Sequence, residues 1–169
     1  MTTERCEECG FNGDDWTDKE ALDAVRQLPA RWSTATSGVE QSQAIRRPIP
    51  QTWSIAEYAN HVREVLFGMR FLIDTAATAS GTDLGASPPS SFEEEPRDLD
   101  LARALDRIES EATLLADRLA ELTNSSWDDV VIVDGEQMDA HWVSRHAVHD
   151  ATHHLMDVSR IQAALSRPC

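Results

Sequence analysis

Two stretches of this sequence carry apolar residues in alternating steps of four and three, and that spacing limits the possible folds more than any other feature. Ile55, Ala59, Val62, Leu66, Met69, Ile73 and Ala76 form one series; Leu101, Leu105, Ile108, Ala112, Leu115, Leu119 and Leu122 form the other. An α-helix turns once in about 3.6 residues, so each series lies on one face that must be buried against other helices. Partners are available at both ends of the chain. A first helix is expected from Thr17, where Thr17-Asp-Lys-Glu20 reads as a capping box and Ala21, Leu22, Val25 and Leu28 supply an apolar side. Pro29 lacks an N–H and crowds the carbonyl four residues back, so a kink or break is expected there, with helix resuming over 31–39. The last helix is expected from about Ala140 to Leu165, with Ala147, Ala151, Leu155, Val158, Gln162 and Leu165 on its more apolar stripe.

The connections read equally well. RRPIPQTW at 46–53 is an extended linker, because proline disfavours helix at the residue before it, and Ser54-Ile-Ala-Glu57 is a second capping box that opens the next helix. Residues 80–97, rich in Gly, Ser and Pro, are expected to form a long, mobile loop, with an Asp cap around 98–100 opening the next helix. The β-branched run Val130–Val133 followed by Asp134-Gly135 suits a type I′ hairpin turn. The expected architecture is therefore all-α: a four-helix bundle over 17–169, with a small hairpin or extended loop before the last helix and a Cys-containing N-terminal segment over 1–16.

Charge narrows the partners. A net charge of −15, with no basic stripe to offset it, repels phosphate backbones and argues against nucleic acid. No apolar run reaches the roughly 18 residues of a membrane span, and the N-terminus MTTERCEECG lacks a signal-peptide pattern, so a cytoplasmic location is expected. Cys6, Cys9 and Cys169 are an odd number, better suited to reduced thiols or metal ligands than to a disulfide framework.

The chemistry-bearing stretch is HAVHDATHH at 146–154. His149 and His153 are four residues apart, so on a helix both can grip one ion, whereas His154 is rotated by about 100° and is the weaker candidate. A third nitrogen comes most naturally from His61, at the edge of the buried stripe containing Val62. Three neutral imidazoles leave a fourth position open, as in catalytic zinc sites; nickel, manganese and iron are the other candidate ions. His146 reads either as a general base beside the metal or as a satisfied core histidine. Glu64, one turn beyond His61, can reach a ligand or substrate, and Asp157, one turn past His153, can hold a ring N–H; both, like Asp150, also read as solvated carboxylates.

TWSIAEYANHV at the head of the second helix, together with HDATH in the last, resembles the DinB-like family, which includes YfiT-type proteins. The resemblance spans roughly 16–165 and implies a four-helix bundle holding a divalent metal through His61, His149 and His153, with a slight lean to a homodimer. The segment HLMDVSR after the motif departs from the Arg-Gly-Gln-like run common in that family. The resemblance implies three outcomes: transferases or isomerases using a low-molecular-weight thiol on a small electrophilic substrate, metal-dependent hydrolases, and members without an assigned reaction. A divalent ion lowers the pKa of a bound thiol, making the nucleophile at neutral pH, and the Arg- and Ala-rich composition of a GC-rich genome points to a mycothiol-type thiol. The same ion could activate water instead. A non-catalytic chain, stapled by metal and serving a protein partner through its acidic surface, is the remaining alternative.

CEECGF at 6–11 is half of a zinc knuckle. Cys6 and Cys9 either complete a second metal site, with Cys169, His141 or His154 as further donors, or bring a thiolate to the first; a pair of reduced surface thiols is the plainer reading.

Overall fold

The computed structural model describes residues 3–49, 51–86 and 99–166. The chain begins with a two-residue-per-strand hairpin, β1 (Arg5–Cys6) and β2 (Phe11–Asn12), paired antiparallel, and a 3-10 turn at Gly13–Asp15. Then follow α1 (Asp18–Ala35), the single turn α2 (Gln41–Ala44) and α3 (Ile55–Thr78). A short strand β3 (Thr82–Asp83) precedes α4 (Leu101–Glu121), and the hairpin β4 (Val130–Val133) and β5 (Glu136–Asp139) leads into α5 (Ala140–Leu165).

Both expected capping boxes are present. Thr17 caps α1 with Glu20, and Ser54 caps α3 with Glu57, so each start satisfies two backbone donors that the helix itself leaves free. Asp100 and Asp139 cap α4 and α5, their side chains accepting from the N–H groups of Arg103 and Trp142.

Pro29 does not break α1. The helix continues to Ala35, and the expected extension to residue 39 is replaced by a turn in which Gly38 has φ +77°. The bond that Pro29 forgoes is outweighed by what flanks it: Leu28 and Trp32 are both fully buried, and burying each such side chain contributes about 1.5–3 kcal/mol or more. The Trp32 indole N–H also donates to the carbonyl of Ala151 on α5 at 3.1 Å.

The predicted stripes form the core. Ile55, Ala59, Val62, Leu66 and Ile73 of α3 meet Leu101, Ile108, Ala112, Leu115 and Leu119 of α4 in one cluster with α1 and α5. α1 packs against α4 and α5, and α3 packs against the same two helices, so α1 and α3 stand on opposite corners of the bundle. α5 therefore lies between α1 and α3, and can present different side chains to each.

The hairpin expectation is met at Asp134 and Gly135, whose φ values of 52° and 78° are those of a type I′ turn. Part of the expected 80–97 loop is ordered differently: β3 joins the hairpin as a third strand, parallel to β4, with Thr82 opposite Val131. Residues 87–97 of that loop lie outside the described residues. Val131 and Val133 pack with Ala76, extending the core to one end of α3. Among the described residues no helix is long and apolar enough to cross a membrane.

Candidate metal centre

Successive residues on α5 are rotated by about 100°, and two lines of polar side chains result. One line faces α3. His61 on α3 puts its Nε2 atom 3.4 Å from Oδ2 of Asp150, and His154 puts its own Nε2 atom 3.5 Å from the same oxygen. Three donors from two helices thus converge, all within 4.8 Å of one another. The other carboxylate oxygen of Asp150 is buried and has no hydrogen-bond partner.

The surroundings hold these groups in place. Asp157, one turn beyond His154, accepts from its Nδ1 at 2.9 Å, which leaves Nε2 as the atom turned towards Asp150. Burial works against an ionised Asp150, but His154 and His61 outweigh it and hold the carboxyl well below the usual carboxylate range. Burial likewise opposes a charged His154, and Asp150 and Asp157 outweigh it, raising the imidazole above its ordinary value. Two aromatic rings flank the group: Trp53 lies 5.2 Å from the His61 ring and Tyr58 lies 4.8 Å from the His154 ring. Burial, and then the charge of Asp157, push the Tyr58 hydroxyl up to about 12, so near neutral pH it keeps its proton.

The second line faces the N-terminal segment. Glu4 bridges His146 at 3.0 Å and His149 at 2.7 Å, and the rings of Trp142 and Phe11 stack on these two histidines respectively. His149 and His153 lie with Cys6 and Cys9, one donor atom from each within 4.8 Å of the others. The Cys6 thiol is lowered to about 6, chiefly by the backbone N–H of Cys9 and then by His149, whereas burial raises that of Cys9.

The expected ligand set is therefore divided. Among the described residues no group of converging donors joins His61 to His149 or His153; His61 pairs with Asp150 and His154 instead. The reason is rotational, since the line of α5 that turns towards α3 is 150 and 154, and the line of 149 and 153 is turned towards the hairpin. HDATHH contains two i,i+4 pairs one residue out of step, Asp150/His154 and His149/His153. A carboxylate ligand with that spacing was the signal for the pair that meets His61.

The remaining candidates are placed as follows. His146 is held by Glu4, away from the His61 group. Glu64 is mostly exposed and pairs with Arg63 at 2.6 Å. Asp157 orients His154 rather than His153. His141 is engaged by Asp18 at 2.7 Å and does not join the cysteines, nor does His154; Cys169 lies outside the described residues. The sequence assigned no role to Glu4, and Trp53 and Tyr58 entered only as members of the TWSIAEYANHV motif. A cleft of about 370 Å³ opens beside Glu4, lined by Asp18, His141, Trp142 and Arg145 among others.

Comparison with known proteins agrees with the fold. The family model of the DinB superfamily matches residues 24–158. No curated protein matches the sequence. Among solved structures, YfiT from Bacillus subtilis, a probable metal-dependent hydrolase with an unusual four-helix bundle topology, is similar with a TM-score of 0.77 and 13% identity over 89% of each chain. The mycothiol-dependent maleylpyruvate isomerase is similar with a TM-score of 0.65 and 16% identity. That likeness covers 94% of this chain but 63% of the isomerase.

Proposed function

Because this chain belongs to the DinB superfamily and brings His61, Asp150 and His154 to one point, we propose that it is a metal-dependent enzyme. In this reading those three residues hold a divalent ion. The observation that carries it is the double approach of two Nε2 atoms to one oxygen of Asp150 while the other oxygen is buried without a partner. A buried carboxylate left half-satisfied is costly, and a cation beside it removes that cost. Two imidazoles and a carboxylate suit zinc, iron(II), nickel or manganese, and three protein donors leave room for a further ligand.

The reaction we infer is the transfer of a low-molecular-weight thiol to a small electrophile, or the thiol-assisted isomerisation of one. Bound here, the ion supplies Lewis acidity, which lowers the pKa of a thiol or water beside it. The chain's own groups do the positioning. Asp157 fixes the tautomer of His154, so that its Nε2 lone pair faces the site. Trp53 offers an apolar wall beside His61, and Tyr58, protonated, has a proton to donate to an oxygen of the substrate. The mycothiol dependence of the isomerase supports the thiol reading.

Hydrolysis is the second reading, favoured by the likeness to YfiT over 89% of both chains. One assay separates the two. Metal-loaded protein is offered epoxides, alkyl halides and maleyl compounds with and without thiol, alongside His61→Ala and Asp150→Asn. Thiol consumption that both variants lose supports transfer; turnover without thiol supports hydrolysis. Protein that fully binds metal and turns over no substrate in either condition counts against both.

A further inference from the structure

We propose that Cys6, Cys9, His149 and His153 form a second, closed zinc site that fastens the N-terminal hairpin to α5. None of its four ligands belongs to the His61 group.

The hairpin has the form of a zinc knuckle. Cys6 ends β1 and Cys9 lies in the turn that leads to Phe11, the first residue of β2. Gly10, at φ +75°, reverses the chain directly after Cys9 and donates its N–H to the Cys6 carbonyl at 2.9 Å. A side chain there would strain the turn. The turn brings the two sulfur atoms within 4.8 Å of one another, close enough for one ion to bind both.

The helix supplies the other half. Nδ1 of His149 is taken by Glu4 at 2.7 Å, and its Nε2 atom is buried with no partner. His153 is arranged with the opposite nitrogen inward: Nδ1 lies 3.6 Å from the Cys6 sulfur and Nε2 lies 3.6 Å from Glu8. His149 thus has a carboxylate hydrogen-bonded to its outward nitrogen, the usual support for a zinc-bound histidine, and His153 has one close to its own. Phe11 stacks flat on His149 with 4.5 Å between ring centres and 16° between planes, fixing the ring against the hairpin.

Size and charge both fit zinc. Bonds of about 2.0–2.3 Å place tetrahedral donors about 3.3–3.8 Å apart; the four donors here lie within 4.8 Å of one another, and the Cys6–His153 pair already has the required separation. Two thiolates and two neutral imidazoles cancel the charge of one Zn²⁺, so the half-buried site carries no net charge. A Cys6–Cys9 disulfide would instead leave the buried Nε2 atom of His149 without a partner. With four protein ligands this site has no place for substrate, in contrast to the three-donor group across the helix. Its role is to join residues 6 and 9 to 149 and 153, closing almost the whole chain into a loop.

The test uses the full-length chain, purified reduced and without a histidine tag, loaded with zinc and desalted, with metal measured by elemental mass spectrometry. The Cys6→Ser/Cys9→Ser variant is expected to hold one ion per chain fewer than wild type. His61→Ala is expected to keep that ion, so failure at either site is read separately. Cobalt(II) loading should give a thiolate-to-metal charge-transfer band in wild type and in His61→Ala, absent from the double-cysteine variant. The wild-type spectrum does not depend on any variant folding, and His153→Cys, which preserves four donors, should retain the ion and strengthen the band. A wild-type cobalt protein without that band, or unchanged metal content in the double-cysteine variant, would overturn the proposal.

Discussion

Glu4 and His149, at opposite ends of the chain, are joined by a 2.7 Å contact between a carboxylate oxygen and Nδ1. Burial opposes the ionised Glu4, but His146 and His149 outweigh it and lower its carboxyl below the ordinary value. Glu4 is thus an anion that fixes which nitrogen of His149 faces the cysteines. Glu4→Gln should weaken zinc at the Cys6/Cys9 site about 10–100-fold, the usual effect of removing such a support. Competition with a graded chelator reads this directly, and unchanged affinity would refute the assignment.

Asp157 plays the matching part on the other line of α5. Asp157→Asn should lower metal affinity at His61, Asp150 and His154 by about 10–100-fold while the ion at the cysteines stays. Site-resolved titration of cobalt, with the charge-transfer band as the marker of the cysteine site, distinguishes the two. Equal loss at both sites would mean that Asp157 supports the helix rather than one ligand.

Trp32 ties α1 to the turn of α5 that carries Asp150. Its side chain is fully buried and its N–H reaches the Ala151 carbonyl. Trp32→Ala should cost about 3–5 kcal/mol and lower the melting temperature by of order 10 °C. Trp32→Phe retains most of the apolar volume and should cost about 1–2 kcal/mol. Calorimetry of both variants checks the order; a Phe variant as unstable as the Ala variant would show that the hydrogen bond, not packing, dominates.

The start of α3 carries a pH-dependent contribution. Burial raises the Glu57 carboxyl, but Arg47 and the Ser54 backbone outweigh it, leaving the group below its ordinary value. Arg47 pairs with it through both Nε, at 2.8 Å, and Nη2. A carboxyl lowered on folding stabilises the protein above its unfolded pKa of about 4.3, and that contribution disappears as pH falls through the lower folded value. Glu57→Gln should cost about 1–3 kcal/mol at pH 7, less than a fully buried pair because Arg47 is 38% exposed. The difference from wild type in denaturant melts should shrink below about pH 4. A constant difference across that range would mean the effect is steric.

Much of the fold was legible because it rests on local rules. The capping boxes at Thr17 and Ser54, the stripes on α3 and α4, and the Asp134-Gly135 turn each depend on residues within a few positions of one another. Pro29 was misleading for the complementary reason: its local cost is real, but Leu28 and Trp32 are buried by helices far away in sequence. β3 was missed because its pairing with β4 joins Thr82 to Val131 and leaves little trace in a two-residue segment.

The sequence by itself determined that α5 would carry imidazoles at i,i+4 spacing and that a C-x-x-C turn would precede the bundle, since both follow from helix pitch and turn chemistry. Only the tertiary structure decided which pair meets which partner. The rotation of α5 between α1 and α3 is set by burial of Ala147, Ala151 and Val158 together, and one residue of rotation exchanges Asp150 and His154 for His149 and His153. Helix pitch leaves both pairs equally available, and the packing of the apolar face sends one to His61 and the other to the cysteines.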